Sequence, residues 1–422
     1  MSERHFIFDG CDTVALAQKY GTPLYVMSET YIQERCAEIR TDFLEKYPNT
    51  RAVFASKAFQ TLEMCRMMKD AGLGLDVVSG GELFTALKAG TDPSKIVFHG
   101  NNKSAEECEM ALENGVGTIV ADSWSELLLL DEVASRLGKV APVLIRYMPG
   151  VDSHTHKYIS TGHEDSKFGF SRRALLFEGF LSQAMALKNV DVKGIHFHVG
   201  SQLTENDSHL LAIDSLTEFL REANETFGFV PRELNLGGGF GIQYSGDPAR
   251  KPVSYFTDPM MAKLTRWFDA QGFAMPSVTI EPGRFIVGEA GITLYKIGTV
   301  KTTDGGRTYA AVDGGFPDNP RTALYQAKYD AVAIGKPDAP QEGVTTIAGK
   351  CCESGDILIW DAPLPRLERG DYLAVLCTGA YNYSMASNYN RVPRPAVVMV
   401  KEGTDRLSVR RETYEDMIAR EL

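Results

Sequence analysis

Between residues 52 and 285, short runs of β-branched and aliphatic residues alternate with stretches in which apolar side chains recur every three or four positions. The runs begin near Val53, Leu75, Ile96, Thr118, Val143, Val192, Glu233 and Val278. The first four are 21 or 22 residues apart, which leaves room only for a strand, a helix and two tight connections. Three intervening stretches open on Ser-x-x-Glu, at Ser79 and Glu82, Ser104 and Glu107, and Ser123 and Glu126. That spacing is the signature of a reciprocal helix cap. After Asp207, residues Leu210, Leu211, Ile213, Leu216, Phe219 and Leu220 keep a helical apolar period. Eight strand–helix units over roughly 230 residues predict an α/β fold, a (β/α)8 TIM-type barrel. An open doubly wound sheet is the alternative, but it would need a glycine-rich loop after the first strand, where Ser56-Lys57-Ala58 stands.

After Gly291 the helical periods fade. Short strands separated by turn residues take over, at 292–300, 308–312, 344–348, 356–360, 372–377, 396–400 and 407–411. They predict a C-terminal β-sandwich or β-barrel-like domain. Pro23-Leu24-Tyr25-Val26 is a further candidate strand ahead of the barrel, placed to join that domain. The expected division is an N-terminal segment 1–31, a barrel 32–290 and a β-domain 291–422.

Composition narrows the classes. The chain has 422 residues, 44% hydrophobic and 23% charged, as a globular protein of more than one domain would. A net charge of -11 without any basic run argues against a nucleic-acid partner. The apolar run from Leu127 to Leu130 meets Asp131 and Glu132, far short of a membrane span. Met1-Ser2-Glu3-Arg4-His5 lacks a signal-peptide core. Seven scattered cysteines without a CxxC suit a reducing cytoplasm and give no metal framework.

In a barrel, functional groups gather at the C-terminal ends of the strands. Lys57 stands where the run 52–55 ends and a helical segment begins, a placement that would let it hold an aldehyde cofactor as an imine. A solvated surface lysine is the plainer alternative. His196 and His198 close the sixth strand on one face. They fit a zinc pair, two buried histidines, or an imidazole stacked on a flat cofactor, and His198 lies nearer the strand end. No third ligand motif accompanies them, so no metal is expected. Gly237, Gly238 and Gly239 close the seventh strand, either as a flexible turn or as a phosphate cradle. Glu281-Pro282-Gly283-Arg284 closes the eighth. Arg284 suits phosphate or carboxylate, and Glu281 suits a protonated ring nitrogen or a core salt bridge. Cys351, Cys352 and Glu353 put thiols beside a carboxylate in the β-domain, where buried, inert cysteines are the default. His154, His156 and His163 lie in a polar loop, 153–166, expected to act as a mobile lid.

The segments FASKAF, LDVVSGGEL, FHGNNKS, EDSKFGF, HFHVGSQ, LNLGGGFG, EPGR, RTALYQAKY, CCESGD and GAYNYSMASNYN closely resemble those of the diaminopimelate decarboxylase family. That family belongs to the alanine-racemase-like, fold-type III class of pyridoxal phosphate enzymes. The matches run in the family's order from about residue 50 to 395. Phe59 stands where the family often has asparagine. The resemblance implies a barrel that binds pyridoxal 5′-phosphate, a β-domain, and a homodimer with shared active sites. It makes Lys57 the covalent attachment point, His198 the ring-stacking group and Glu281 the partner of the ring nitrogen. Ser201, Gly237, Gly238, Gly239, Pro282, Gly283, Arg284 and Tyr381 would surround the cofactor. Cys352 would be the acid that returns a proton to Cα. Arg284, Arg321, Tyr325, Glu353 and Tyr381 would bind substrate.

The implied reaction is decarboxylation of meso-2,6-diaminopimelate to L-lysine and CO2, the last step of lysine biosynthesis. Its substrate carries a carboxylate and an ammonium at the non-reacting end, so a site for it needs cations and an anion together. Ornithine and lysine end in an ammonium alone and would leave Arg321 without work. A polyamine-type decarboxylase of the same class is the alternative enzyme. A racemase would have no use for Cys352. A non-catalytic pyridoxal phosphate binder would not need the Cys-Glu pair.

Overall fold

The computed structural model describes residues 4–151 and 166–422. The proposed lid histidines, His154, His156 and His163, lie outside the described residues. The chain divides into two compact units, one of Arg35–Ile242 with Arg250–Phe285, the other of Met1–Glu34, Gln243–Ala249 and Ile286–Leu422.

In the first unit the strands are Thr50–Ala55, Gly74–Val77, Ile96–Phe98, Thr118–Ala121, Ala141–Arg146, Val190–His196, Glu233–Asn235 and Ser277–Ile280. Each pairs in parallel with the next, and the eighth closes on the first. The closed barrel rules out the doubly wound sheet. Closure demands close backbone approach at Gly194. A Cβ there would meet the Glu233 carbonyl oxygen at 1.7 Å, so no larger residue fits between the sixth and seventh strands.

The helices begin as the Ser-x-x-Glu spacing predicts, with one difference. Only Ser104 and Glu107 form both bonds of the reciprocal cap. Ser79 and Ser123 each accept the N–H of Glu82 and Glu126. Those glutamates instead turn one residue further back, to the N–H of Val78 at 2.8 Å and of Asp122 at 3.0 Å. The other oxygen of Glu126 meets Lys103, whose ammonium lies 2.5 Å away. Both partners are buried, and Lys103 also donates to the carbonyls of Gly100 and Val120. A buried ion pair survives only when its remaining polar valences are filled in this way.

The second unit is built on a nine-stranded sheet. Its long strand Gly291–Thr302 pairs through residues 291–296 with Leu24–Ser28 and Tyr372–Val375. From Ile297 on, with an irregularity between Ile297 and Thr299, it pairs with Thr308–Val312. The strand borders two apolar cores, one taking Ile292 and Leu294 and the other Tyr295 and Ile297. Leu24–Ser28 lies between Gly291–Thr302 and Ala396–Lys401. The short strand Ala331–Ala333 has no counterpart in the sequence pattern.

No helix among the described residues is long and apolar enough to cross a membrane.

Gly194→Ala is expected to destabilise the barrel by about 1–3 kcal/mol, the usual cost of overpacking. The shift of the urea unfolding midpoint measures it. An unchanged midpoint would mean that the two strands can separate at no cost.

Candidate active site

The barrel cluster starts with the backbone. The strand Val190–His196 ends at a buried histidine, and Phe197 extends the pairing by donating its N–H to the Asn235 carbonyl at 3.0 Å. This fixes His196 and His198 relative to the glycines that follow the seventh strand. Each of those glycines is required by a different neighbour. A Cβ on Gly237, at φ +69, would lie 2.5 Å from the Phe197 oxygen. One on Gly238 would lie 2.1 Å from the Glu281 carbonyl oxygen, and one on Gly239, at φ +94, 2.2 Å from that of Gly200. The run is a packed crossing of three loops and not a loose turn.

Two of the three glycine amides are taken up internally. Gly237 donates to Asn235 Oδ1 at 3.0 Å, and Gly238 to His198 Nδ1 at 3.2 Å. His209, buried on the helix Asp207–Phe227, donates Nε2–H to the Gly238 carbonyl at 3.0 Å. Burial holds its imidazole down at about 4, so it serves as a neutral donor. Gln202 ties the same loops, donating to the Ile242 carbonyl at 2.6 Å and accepting the Ile242 N–H at 3.2 Å.

Glu281 and Arg284 follow the eighth strand, and both are buried. Arg284 donates to Ser201 Oγ at 3.0 Å. Pro282 accepts the N–H of Ala55 at 3.3 Å, and Gly283 lies so close that a Cβ would meet that of Ala55 at 2.9 Å. The eighth strand's exit is thereby locked to the first strand's exit, where Lys57 stands. Lys57 lies in a single 3-10 turn, Ser56–Ala58, ahead of the helix Leu62–Asp70. Its side chain is exposed, and its charge acts on Asp76, Glu82 and His198.

Glu281 is neither solvated nor a simple salt bridge. Its Oε1 accepts from Asn235 Nδ2 at 2.7 Å and from His99 Nε2 at 2.6 Å, and its Oε2 lies 3.4 Å from His196 Nε2. Burial works to raise its pKa, but His99 and His196 hold it well below the usual carboxylate range. Burial pushes the His196 imidazole down to about 4. Burial, and then the Lys57 charge, hold His198 well below its ordinary range. The site therefore presents an ionised carboxylate and a neutral, flat imidazole at neutral pH. Burial raises Asp76, on the second strand, to about 6 and Glu82 to about 7.

Sequence reasoning missed Asp76, His99, Asn235 and His209. Asp76 and His99 sit within the LDVVSGGEL and FHGNNKS segments, at the ends of the second and third strands. The same strand-end rule that singled out Glu281 would have found them.

The β-unit holds a second cluster. Arg321 is buried at the start of the short helix Arg321–Tyr325, which ends at the half-buried Tyr325. Its guanidinium donates to the Tyr329 hydroxyl at 2.6 Å and the Tyr244 hydroxyl at 3.3 Å. It lies 5.5 to 5.9 Å from the ring centres of Tyr244, Tyr381 and Tyr329. No carboxylate faces it among the described residues. Cys352 and Glu353 are exposed on the loop between Val344–Ala348 and Ile357–Pro363. That loop is pinned from below by Asp356, which accepts the N–H groups of Phe316 at 2.6 Å and Cys351 at 2.8 Å. A Cβ on Gly349 would strike the Asp356 carboxylate at 2.2 Å, so the glycine is what lets the acid in. Asn390 accepts the Cys352 N–H at 2.8 Å, and Tyr389 donates to Glu353 at 3.5 Å.

With this geometry in view, comparison with known proteins is direct. Residues 30–288 match the family described as pyridoxal-dependent decarboxylase, pyridoxal binding domain. The chain is 46% identical over 418 residues to a diaminopimelate decarboxylase of Bacillus subtilis, covering 99% of this chain and 95% of that one. It is 48% identical over 408 residues to a diaminopimelate decarboxylase of Bacillus methanolicus, covering 97% and 94%. A crystal structure of diaminopimelate decarboxylase from M. jannaschii in complex with L-lysine is 35% identical, covers 100% of this chain and 98% of that one, and superposes with a TM-score of 0.91. The chain belongs to the diaminopimelate decarboxylase family of pyridoxal-dependent decarboxylases.

Proposed function

We propose that this chain decarboxylates meso-2,6-diaminopimelate to L-lysine and CO2, as a cytoplasmic homodimer whose subunits share their active sites. The observation that carries the substrate is Arg321, a buried cation ringed by tyrosine hydroxyls and faced by no acid among the described residues. A buried charge without a counter-charge is costly, and a substrate bringing a distal carboxylate supplies one. The related protein from M. jannaschii was crystallised with L-lysine, the product this reading expects.

The barrel cluster fits pyridoxal 5′-phosphate on its own chemistry. Glu281, held ionised by its neighbours, calls for a cation such as a protonated ring nitrogen. His198 offers a flat neutral imidazole. Arg284, Ser201 and the glycine run, whose Gly239 amide has no partner among the described residues, suit a phosphate. When bound, the cofactor supplies an electron sink for the pair left at Cα as the bond to CO2 breaks.

The remaining work belongs to the chain. Lys57 holds the cofactor covalently between turnovers. Glu281 keeps a proton on the ring nitrogen, a preorganised charge of the kind that dominates many catalysed barriers. Cys352 returns a proton to Cα once CO2 has left. Arg321 takes the distal carboxylate, Glu353 the distal ammonium, and Tyr325 and Tyr381 line the pocket. Arg284 contributes on the substrate side as well as at the phosphate.

Purified protein supplied with pyridoxal 5′-phosphate should release CO2 from meso-diaminopimelate, with lysine and ornithine at least about 100-fold poorer. That ratio corresponds to about 3 kcal/mol for leaving the arginine unmatched. Comparable release from ornithine would move the reading to the polyamine branch.

Arg321→Ala should lower kcat/KM for diaminopimelate by about 10- to 150-fold, the loss of a charge-assisted hydrogen bond of about 1.5–3 kcal/mol. Unchanged kinetics would remove the distal-carboxylate role.

Cys352 and Glu353 are assigned to the partner subunit's site, in keeping with an isologous dimer. Lys57→Ala, expected to lose the cofactor's visible absorbance, and Cys352→Ala are each inactivated and then mixed with subunit exchange. Half the dimers would regain one of two sites, so activity should recover to about a quarter of wild type. No recovery despite verified exchange would mean that each chain completes its own site.

A further inference from the structure

His99 is not among the residues given a role above, yet it is the group on which two buried carboxylates converge. It follows the third strand, and its backbone N–H is held by the Val77 carbonyl at 2.7 Å. Its Nε2 lies 2.6 Å from Glu281 Oε1 and 3.8 Å from Asp76 Oδ1. All three side chains are buried. Asp76 Oδ1 accepts no hydrogen bond among the described residues, so it must be balanced by nearby charge.

The neighbours can be counted by sign. Arg146, from the fifth strand, lies 3.8 Å from Asp122, its largest partner, and also acts on Glu281 and Asp76. Lys103 is matched by Glu126. His196 stands edge-on to His99 at 4.7 Å and is neutral. Its Nδ1 has no partner among the described residues, as expected if Nε2 carries the proton toward Glu281. Lys57, in the turn after the first strand, and Glu82, in the first turn of the helix after the second, act on Asp76 with opposite signs. The two carboxylates within 4 Å of His99 Nε2 are Asp76 and Glu281, with His99 between them.

We propose that His99 is a protonated positioning residue. It neutralises one of the two buried carboxylates, so that one net negative charge, at Glu281, is left for the ring nitrogen of the cofactor. The direction of its titration agrees: burial opposes the charge, but Glu281 and Asp76 raise the imidazole above its ordinary value. A neutral His99 would leave two negative charges for one ring cation, and one of the acids would take up a proton instead. The inference rests on the reading of the barrel as a pyridoxal phosphate site.

The sign of the pH effect follows. Cofactor affinity needs the carboxylate pair ionised and is lost as pH falls through its folded-state values. Removing an opposite charge at this distance raises a carboxylate by about 1–3 units. In His99→Gln the acid limb of cofactor affinity, measured by equilibrium dialysis, should therefore move up by about one unit or more relative to wild type. The KM for substrate should change less than kcat. A limb that stays in place overturns the proposal. In the cofactor-free wild type, NMR titration of the His99 imidazole should lie above the ordinary value of about 6.5. A value below it overturns the proposal too, and decides the matter alone if His99→Gln fails to fold. Neither the dialysis nor the imidazole titration uses substrate. A chain inactive on diaminopimelate but showing both shifts keeps this inference and loses only the substrate assignment, and a chain that binds no cofactor defeats the site reading while the imidazole titration still reports.

Discussion

Glu281 is a carboxylate removed from water, and burial of an ion is tolerated only when other groups replace its hydration. Three elements do so here: the seventh strand through Asn235, the sixth through His196 and the segment after the third through His99. The third and eighth strands are not neighbours in the sheet, so the His99 contact spans the barrel interior. Once that carboxylate is fixed, much else follows. Its own backbone presses on Gly238, Gly238 anchors His198, and the following Pro282 and Gly283 bind the exit of the first strand, which carries Lys57.

Much of this was readable from the chain because it depends on local pattern. A strand recurring every 21 or 22 residues admits few architectures, and the eight starts lie within or beside the eight barrel strands. Lys57, His198, Glu281 and Arg284 were visible because a charged or imidazole residue at a strand end is unusual where apolar residues are the rule. What was hidden depends on closure. His99 at the end of an apolar run looks like any polar strand end until the barrel brings it to Glu281. Asp76 stands out only as one polar residue in a strand, and that its Oδ1 is buried without a donor among the described residues depends on the fold. The capping glutamates show the same limit, since the ion pair of Glu126 is with Lys103, a residue 23 positions away. In the β-unit, Ala331–Ala333 is too short and too ordinary to stand out, and only pairing with Tyr372–Val375 makes it a strand.

The CCESGD segment shows how a motif can mix roles. Cys352 and Glu353 point outward and carry the proposed chemistry. Asp356, three residues beyond Glu353, faces the other way and holds backbone amides from two loops. Gly349 has no Cβ because the Asp356 carboxylate occupies that place. The outward pair is as rigid as the inward acid makes it.

The strand Leu24–Ser28 has a consequence for how the molecule is made. Its partners are Gly291–Thr302 and Ala396–Lys401. On a ribosome, its backbone groups leave the exit tunnel with nothing to pair with until about 270 more residues have followed, from Leu24 to Leu294, and its second edge stays open for about 370, to Ala396. Closing so long a loop is slow. The barrel, by contrast, needs only residues 35–285. Synthesis therefore leaves this apolar strand with one edge unpaired for about 100 residues after the barrel's last residue, an interval in which that edge is open to other chains.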